Sequence, residues 1–106
     1  MKKDEKIQSY NEMLEEKRRI NSKAFASLFG ERLREFRLKK GLLQKQIAKK
    51  IGVTVSRYAN WEQGRREPSV YDIFMIISTL EIEPNQLFNF DELTKFIFSD
   101  AEDFME

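Results

Sequence analysis

The chain predicts an all-α fold, and three observations carry the prediction. Apolar residues recur at three- and four-residue spacing in successive segments. Period-two alternation, the mark of a half-buried strand, is missing. Glycines and cap-forming residues stand where helices would stop and start. At 106 residues, one domain with appended segments is expected. These segments are a charged N-terminal arm over 1–26, a helical domain over 27–88 and an acidic C-terminal helix over 89–106.

In the arm, Ile7, Tyr10, Leu14 and Ala24 lie near one helical stripe, among Glu12, Glu15, Glu16, Lys17, Arg18 and Arg19. Of the pairs four apart, Glu12/Glu16 is like-charged and Glu15/Arg19 is opposite. The arm reads as helical, with a partly disordered, solvated tail as the alternative at this charge density.

From about Ser27 to Lys40, Phe29, Leu33 and Phe36 recur at helical spacing. Gly41 stops this helix, since the left-handed region costs glycine least. Residues 44–51 form the next helix, with Ile47, Ala48 and Ile51 inward and Gly52 as its stop. Thr54 caps the following helix with its hydroxyl. Tyr58 and Trp61 give that helix an inner face, and Gly64 ends it.

Ser69 and Asp72 resemble a capping box with Asp in place of Glu. The helix they open is expected to set Val70, Ile73, Phe74, Ile77 and Leu80 on one side. Pro84 suits a first helical turn, and Leu87 and Phe88 make a short fifth helix. Asn89 and Glu92 suggest another cap. Leu93, Phe96, Ile97, Ala101 and Phe104 trace a last apolar stripe, with Phe98 off it. That stripe either covers the domain or pairs with a second copy, and pairing is the preferred expectation.

The net charge of +1 conceals a strong asymmetry. Residues 1–25 carry 7 Lys/Arg and 5 Asp/Glu, residues 26–68 carry 11 and 4, and residues 69–106 carry 1 and 9. A basic middle suits a polyanion. The acidic end argues against wrapping the whole molecule in nucleic acid.

There is no cysteine and no histidine. A disulfide framework, a thiolate metal site and the commonest general base are therefore excluded. No Ser/His/Asp set, glycine-rich phosphate loop or metal-ligand cluster appears. No enzyme, cofactor or metal is expected. No apolar run approaches the roughly 18 residues of a membrane span, and the N-terminus lacks an apolar signal region. A cytoplasmic setting without a membrane partner is expected.

The most informative stretch runs from Gln44 to Gly64: a short helix, a glycine turn, a capped second helix and a glycine stop. Ala48 lies where the second helix should cross the first closely. Gly52 lies four residues on, where the backbone is expected to need positive φ, and Val53 plugs the angle. Two helices at roughly 90–120° joined by such a turn form a helix-turn-helix. Its second helix projects into a major groove about 12 Å wide. Because Tyr58 and Trp61 take the inner face, Val55, Ser56 and Asn60 are left to meet DNA.

Residues 30–88 resemble the Cro/CI repressor type, also called the XRE family. The matching residues run from Arg37 through Gly41-Leu42, Gln44, Ile47-Ala48, Ile51-Gly52-Val53-Thr54, Tyr58, Trp61-Glu62, Gly64 and Pro68-Ser69 to Leu80, Ile82 and Leu87. The resemblance covers a little over half of the chain. It implies a five-helix, lambda-repressor-like domain whose third helix reads DNA.

By position, the resemblance implies that Gln44 holds a phosphate and props the reading helix. Val55, Ser56 and Asn60 face base edges. Asn pairs bidentately with adenine, Ser is permissive, and Val touches only a thymine methyl. Arg57 lies within reach of a phosphate or a guanine. Gln63, Arg65 and Arg66 grip the backbone, and Arg37 pairs with Glu62.

Two departures stand out. Leu43 replaces the usual Ser or Thr cap, a loss of roughly 1 kcal/mol, and Val55 replaces a commonly polar reader. The expected function is a sequence-specific transcriptional regulator of double-stranded DNA, a homodimeric repressor reading the major groove with residues 55–62. The alternative is an antitoxin or partner-binding adaptor that uses the same fold for protein interaction. The charged arm and the acidic stripe support that alternative.

Overall fold

The helix expected to begin near Ser27 continues unbroken through the arm. The computed structural model describes residues 2–98, and α1 spans Lys2–Lys39. At about 1.5 Å per residue its 38 residues measure roughly 57 Å. That length accounts for the molecule's longest dimension, 57 Å. Every described side chain from Asp4 to Ile20 is exposed, and Leu14, Lys17 and Arg18 line an open groove with Ile97 and Phe98. Gln8 donates to Glu12 at 3.1 Å. Arg19 pairs with Glu16 at 2.6 Å, three residues back, rather than with Glu15. The hydrogen bond from Arg19 lowers the pKa of the Glu16 carboxyl.

Five shorter helices follow: α2 (Gln44–Ile51), α3 (Val55–Glu62), α4 (Val70–Leu80), α5 (Pro84–Phe88) and α6 (Phe90–Ile97). Their inner faces meet the C-terminal half of α1. Phe29 and Leu33 pack with Ile47, Ala48 and Ile51 of α2, and with Tyr58 and Trp61 of α3. Ile76 and Leu80 of α4 and Leu87 of α5 close the core. Among the described residues, no helix is long and apolar enough to cross a membrane.

The helix ends follow the capping chemistry in most places. The Thr54 hydroxyl accepts from the Arg57 N–H at 3.1 Å. Ser69 and Asp72 form a reciprocal box: the Asp72 N–H donates to the Ser69 hydroxyl at 3.1 Å, and the Ser69 N–H donates to the Asp72 carboxylate at 3.3 Å. Gly52 takes φ +90° and turns the chain from α2 to α3. At α2, Leu43 offers no side-chain cap. Gln46 supplies half of the missing box by accepting from the Leu43 N–H at 2.7 Å.

Two expectations are corrected. Val70 and Phe74 are 85% and 63% exposed, whereas Ile76, absent from the expected stripe, is fully buried. The capping box buries Asp72, and the side chains at 72, 76 and 80, four apart, share that inward face. Asn89 is not a side-chain cap. It sits in the left-handed region at φ 45°, between α5 and α6, and its amide donates to Glu92 at 2.7 Å. Helix α6 packs on α1 and buries Leu93 on the side of Leu28 and Arg32. Leu93, the first residue of the last apolar stripe, therefore covers the domain, while Ala101 and Phe104 lie outside the described residues.

Candidate nucleic-acid interface

The end of α3 is fixed by a buried ion pair. Arg37 donates from Nε to Glu62 Oε2 at 2.6 Å and from Nη2 to Oε1 at 3.1 Å. The fork geometry of guanidinium and carboxylate makes this bidentate contact strong and directional. Arg37 Nη1 also donates to the Leu42 carbonyl at 2.8 Å, tying in the turn after α1. The Gln44 amide donates to Glu62 Oε1 at 3.1 Å, so three segments meet at one carboxylate.

Burial pushes the Glu62 carboxyl up. The Arg37 guanidinium, with the neighbouring Tyr58 hydroxyl and Gln44 amide, outweighs that effect and leaves it below its ordinary range. The Tyr58 hydroxyl is buried without hydrogen-bond geometry to a partner. Burial, then the adjacent Glu62 carboxylate, raises its pKa.

Close backbone contact fixes the same junction. A Cβ on Gly30 would lie 2.6 Å from the Trp61 carbonyl oxygen and closer still to that of Glu62. A Cβ on Gly64 would meet Ser27 Cα at 2.9 Å. Helix α1 thus crosses the end of α3 at a distance only glycine permits, and the loop after α3 rests on α1.

With its inner side committed to the Tyr58–Trp61 edge contact at 5.9 Å, α3 turns Val55, Ser56 and Arg57 outward, all exposed. Asn60 is half-buried one turn on. Arg57 approaches Asp72 at 3.7 Å, an ion pair that steadies its long side chain beside the first turn of α3. The exposed loop residues Gln63, Arg65 and Arg66 follow directly. The Arg65 and Arg66 N–H groups donate to the Asn60 carbonyl at 2.9 and 3.4 Å, which folds the loop back on the helix end.

A family model described as helix-turn-helix matches residues 33–87, more than half of the chain. The chain belongs to the XRE-type helix-turn-helix family. A helix-turn-helix transcriptional regulator of Archaeoglobus fulgidus is 36% identical over 61 residues, spanning 58% of this chain and 87% of that protein. The regulator YazB of Bacillus subtilis is 37% identical over 62 residues, covering 58% and 90%. The restriction-modification controller protein C.AhdI of Aeromonas hydrophila is similar in structure, with TM-score 0.59 and 40% identity over 61% of this chain and 98% of that one. The clp gene regulator ClgR of Corynebacterium glutamicum, 22% identical with TM-score 0.60 over 74% and 82%, shares the fold. This helix-turn-helix protein is a transcriptional regulator with a DNA-binding domain.

Within the helix-turn-helix domain, the structure places the expected residues in three groups. Arg37 and Glu62 form the expected pair, joined by Gln44. Val55, Ser56 and Arg57 share the open first turn of α3, with Asn60 beyond them. Gln63, Arg65 and Arg66 share the loop with Gly64. Sequence reasoning missed Gly30. The available signal was a lone glycine inside an apolar helical pattern, which a packing constraint explains. It also missed Arg32, which donates to the Gln86 carbonyl at 2.7 Å and ties α1 to α5.

Proposed function

We propose that this helix-turn-helix regulator binds operator DNA as a homodimer and represses by occupying it, in the cytoplasm. The arm (1–26), the reading domain (27–88) and the acidic helix (89–106) act as separate functional segments. One observation carries the reading most directly: α3 exposes Ser56 and Arg57 while buried Arg37 and Glu62 lock its far end. A reading helix needs that combination, because base contacts demand a fixed angle and exposed polar side chains.

Residues 55–62 enter the major groove. Ser56 and Asn60 meet base edges, Val55 touches a thymine methyl, and Arg57 reaches a guanine or phosphate. Gln44, Gln63, Arg65 and Arg66 hold phosphates and set register. An eight-residue helix spans few base pairs, so two copies on half-sites about 34–36 Å apart supply the remaining specificity.

Selection from a random DNA pool tests the reading. It is expected to return a two-fold symmetric site that binds two chains. A Ser56→Ala, Asn60→Ala double variant should lose preference for that site by about 1–3 kcal/mol per bidentate contact removed, while mixed-sequence DNA binds as before. Full retention of sequence preference would sink the base-reading assignment.

The bare apolar residues of the arm, Ile7, Tyr10, Met13 and Leu14, support the second reading, an antitoxin or adaptor that docks a protein partner. Co-purification of a stoichiometric partner through an intact arm, together with no enrichment of any DNA site, would favour it.

A further inference from the structure

We propose that the arm of α1 is itself part of the DNA interface. In this reading Arg19 and Lys23 form the second wall of a phosphate-backbone cleft whose first wall is the loop after α3. The inference rests on the DNA-binding function above and extends it to residues that lie before the family match, which begins at residue 33.

An open cleft of about 740 Å³ separates the middle of α1 from the loop. Arg19, Ser22 and Lys23 line one side, and Gln63, Arg65 and Arg66 the other. Its floor is built from small residues, because Gly64 rests on Ser27, so the two walls hold a fixed separation. Four cations thus face one another across open space, against Glu67 as the one carboxylate of the lining.

Among the described residues, the side chains of Lys23, Arg65 and Arg66 form no ion pair. Unpaired like charges held together by a rigid junction repel one another, and a row of phosphodiesters relieves that repulsion. Such a row also returns its counterions to solvent. The loop begins where α3 ends, so a backbone followed from the reading helix passes this cleft next.

The arm also has a built-in edge. Residues 12, 16, 19 and 23 share one face by their three- and four-residue spacing. That face changes from Lys23 and Arg19 to Glu16 and Glu12 within about three turns, and Glu16 holds Arg19 at 2.6 Å. DNA contact therefore stops at Arg19, and the rest of the arm leaves the duplex.

The test uses the full chain and a mixed-sequence duplex of roughly 30 bp, about three turns, titrated by fluorescence anisotropy across salt. Each phosphate contact adds about 0.9 to the slope of log K against log salt. An Arg19→Gln, Lys23→Gln variant is expected to lower that slope by nearly two for each chain bound. Between about 50 and 200 mM salt, the wild type then loses roughly tenfold more affinity per bound chain than the variant. A Lys17→Gln, Arg18→Gln variant removes the same charge from the adjoining groove of α1 and should move the slope far less. Glu16→Gln, which frees Arg19, should tighten binding severalfold.

Circular dichroism confirms equal helix content in every variant. Wild-type binding with an unchanged slope in the Arg19/Lys23 variant overturns the proposal, as does an equal drop in the Lys17/Arg18 control. A wild type that binds no duplex overturns the DNA-binding reading and the proposal together.

Discussion

Glu62→Ala is expected to lower stability by about 3–5 kcal/mol, the usual effect of removing one partner of a buried ion pair. The Arg37 guanidinium would remain buried, with only the Leu42 carbonyl as acceptor, and Gln44 would lose its partner as well. At about 4–8 °C per kcal/mol for a domain of this size, the melting midpoint falls by at least about 12 °C. Replacing both partners by apolar residues of similar volume, Arg37→Met with Glu62→Leu, should recover most of the loss, because neither charge is then stranded.

The same pair sets a pH dependence. Glu62 titrates lower in the folded chain than its ordinary value of 4.5. Its contribution is therefore complete above that value and is lost as the pH falls through the lower folded value. Thermal melts of both variants between acid and neutral pH check each step. A loss below about 1 kcal/mol, the scale of a solvated surface pair, would show that Glu62 is not the lock of α3.

The fold was legible where local chemistry decides it. Thr54, Ser69 and Asp72 announce helix starts through hydrogen bonds to nearby N–H groups, and those bonds form. Gly41 and Gly52 announce stops through positive φ, which both adopt. Tyr58 and Trp61 fall on the inner face by spacing alone.

What escaped depends on contacts distant in sequence. No local rule says that Gly30 lies against the carbonyls of Trp61 and Glu62. Nor does spacing choose between Val70 and Ile76 when the stripe of α4 is wide; the burial of Asp72 makes that choice. The continuity of α1 also escaped, because every described side chain of its arm from Asp4 to Ile20 is exposed. The apolar periodicity by which a helix is recognised is thin there. Among candidate site residues, the Arg37–Glu62 pair came from family resemblance, and the Arg19–Lys23 wall has no counterpart in the matched segment.

Gly30→Ala separates local propensity from packing, because the two give opposite signs. In an exposed helix interior, exchanging glycine for alanine stabilises by roughly 0.8–1.0 kcal/mol. At position 30 the added methyl meets two backbone carbonyls of α3. Neither oxygen can swing aside as a side chain would, so α1 and α3 must part or tilt. Overpacking of this kind costs typically about 1–3 kcal/mol, and more where the backbone has to move.

The expected result is a net loss of about 2 kcal/mol in urea unfolding, the low-to-middle range of that cost. The displacement falls on Trp61 and Glu62, the residues that hold the far end of the reading helix. Sequence preference should therefore drop further than affinity for mixed-sequence DNA, whose phosphate contacts tolerate a small tilt. An alanine variant more stable than the wild type would show that the crossing has room for a side chain. In that case Arg37 and Glu62 alone would set the angle of α3.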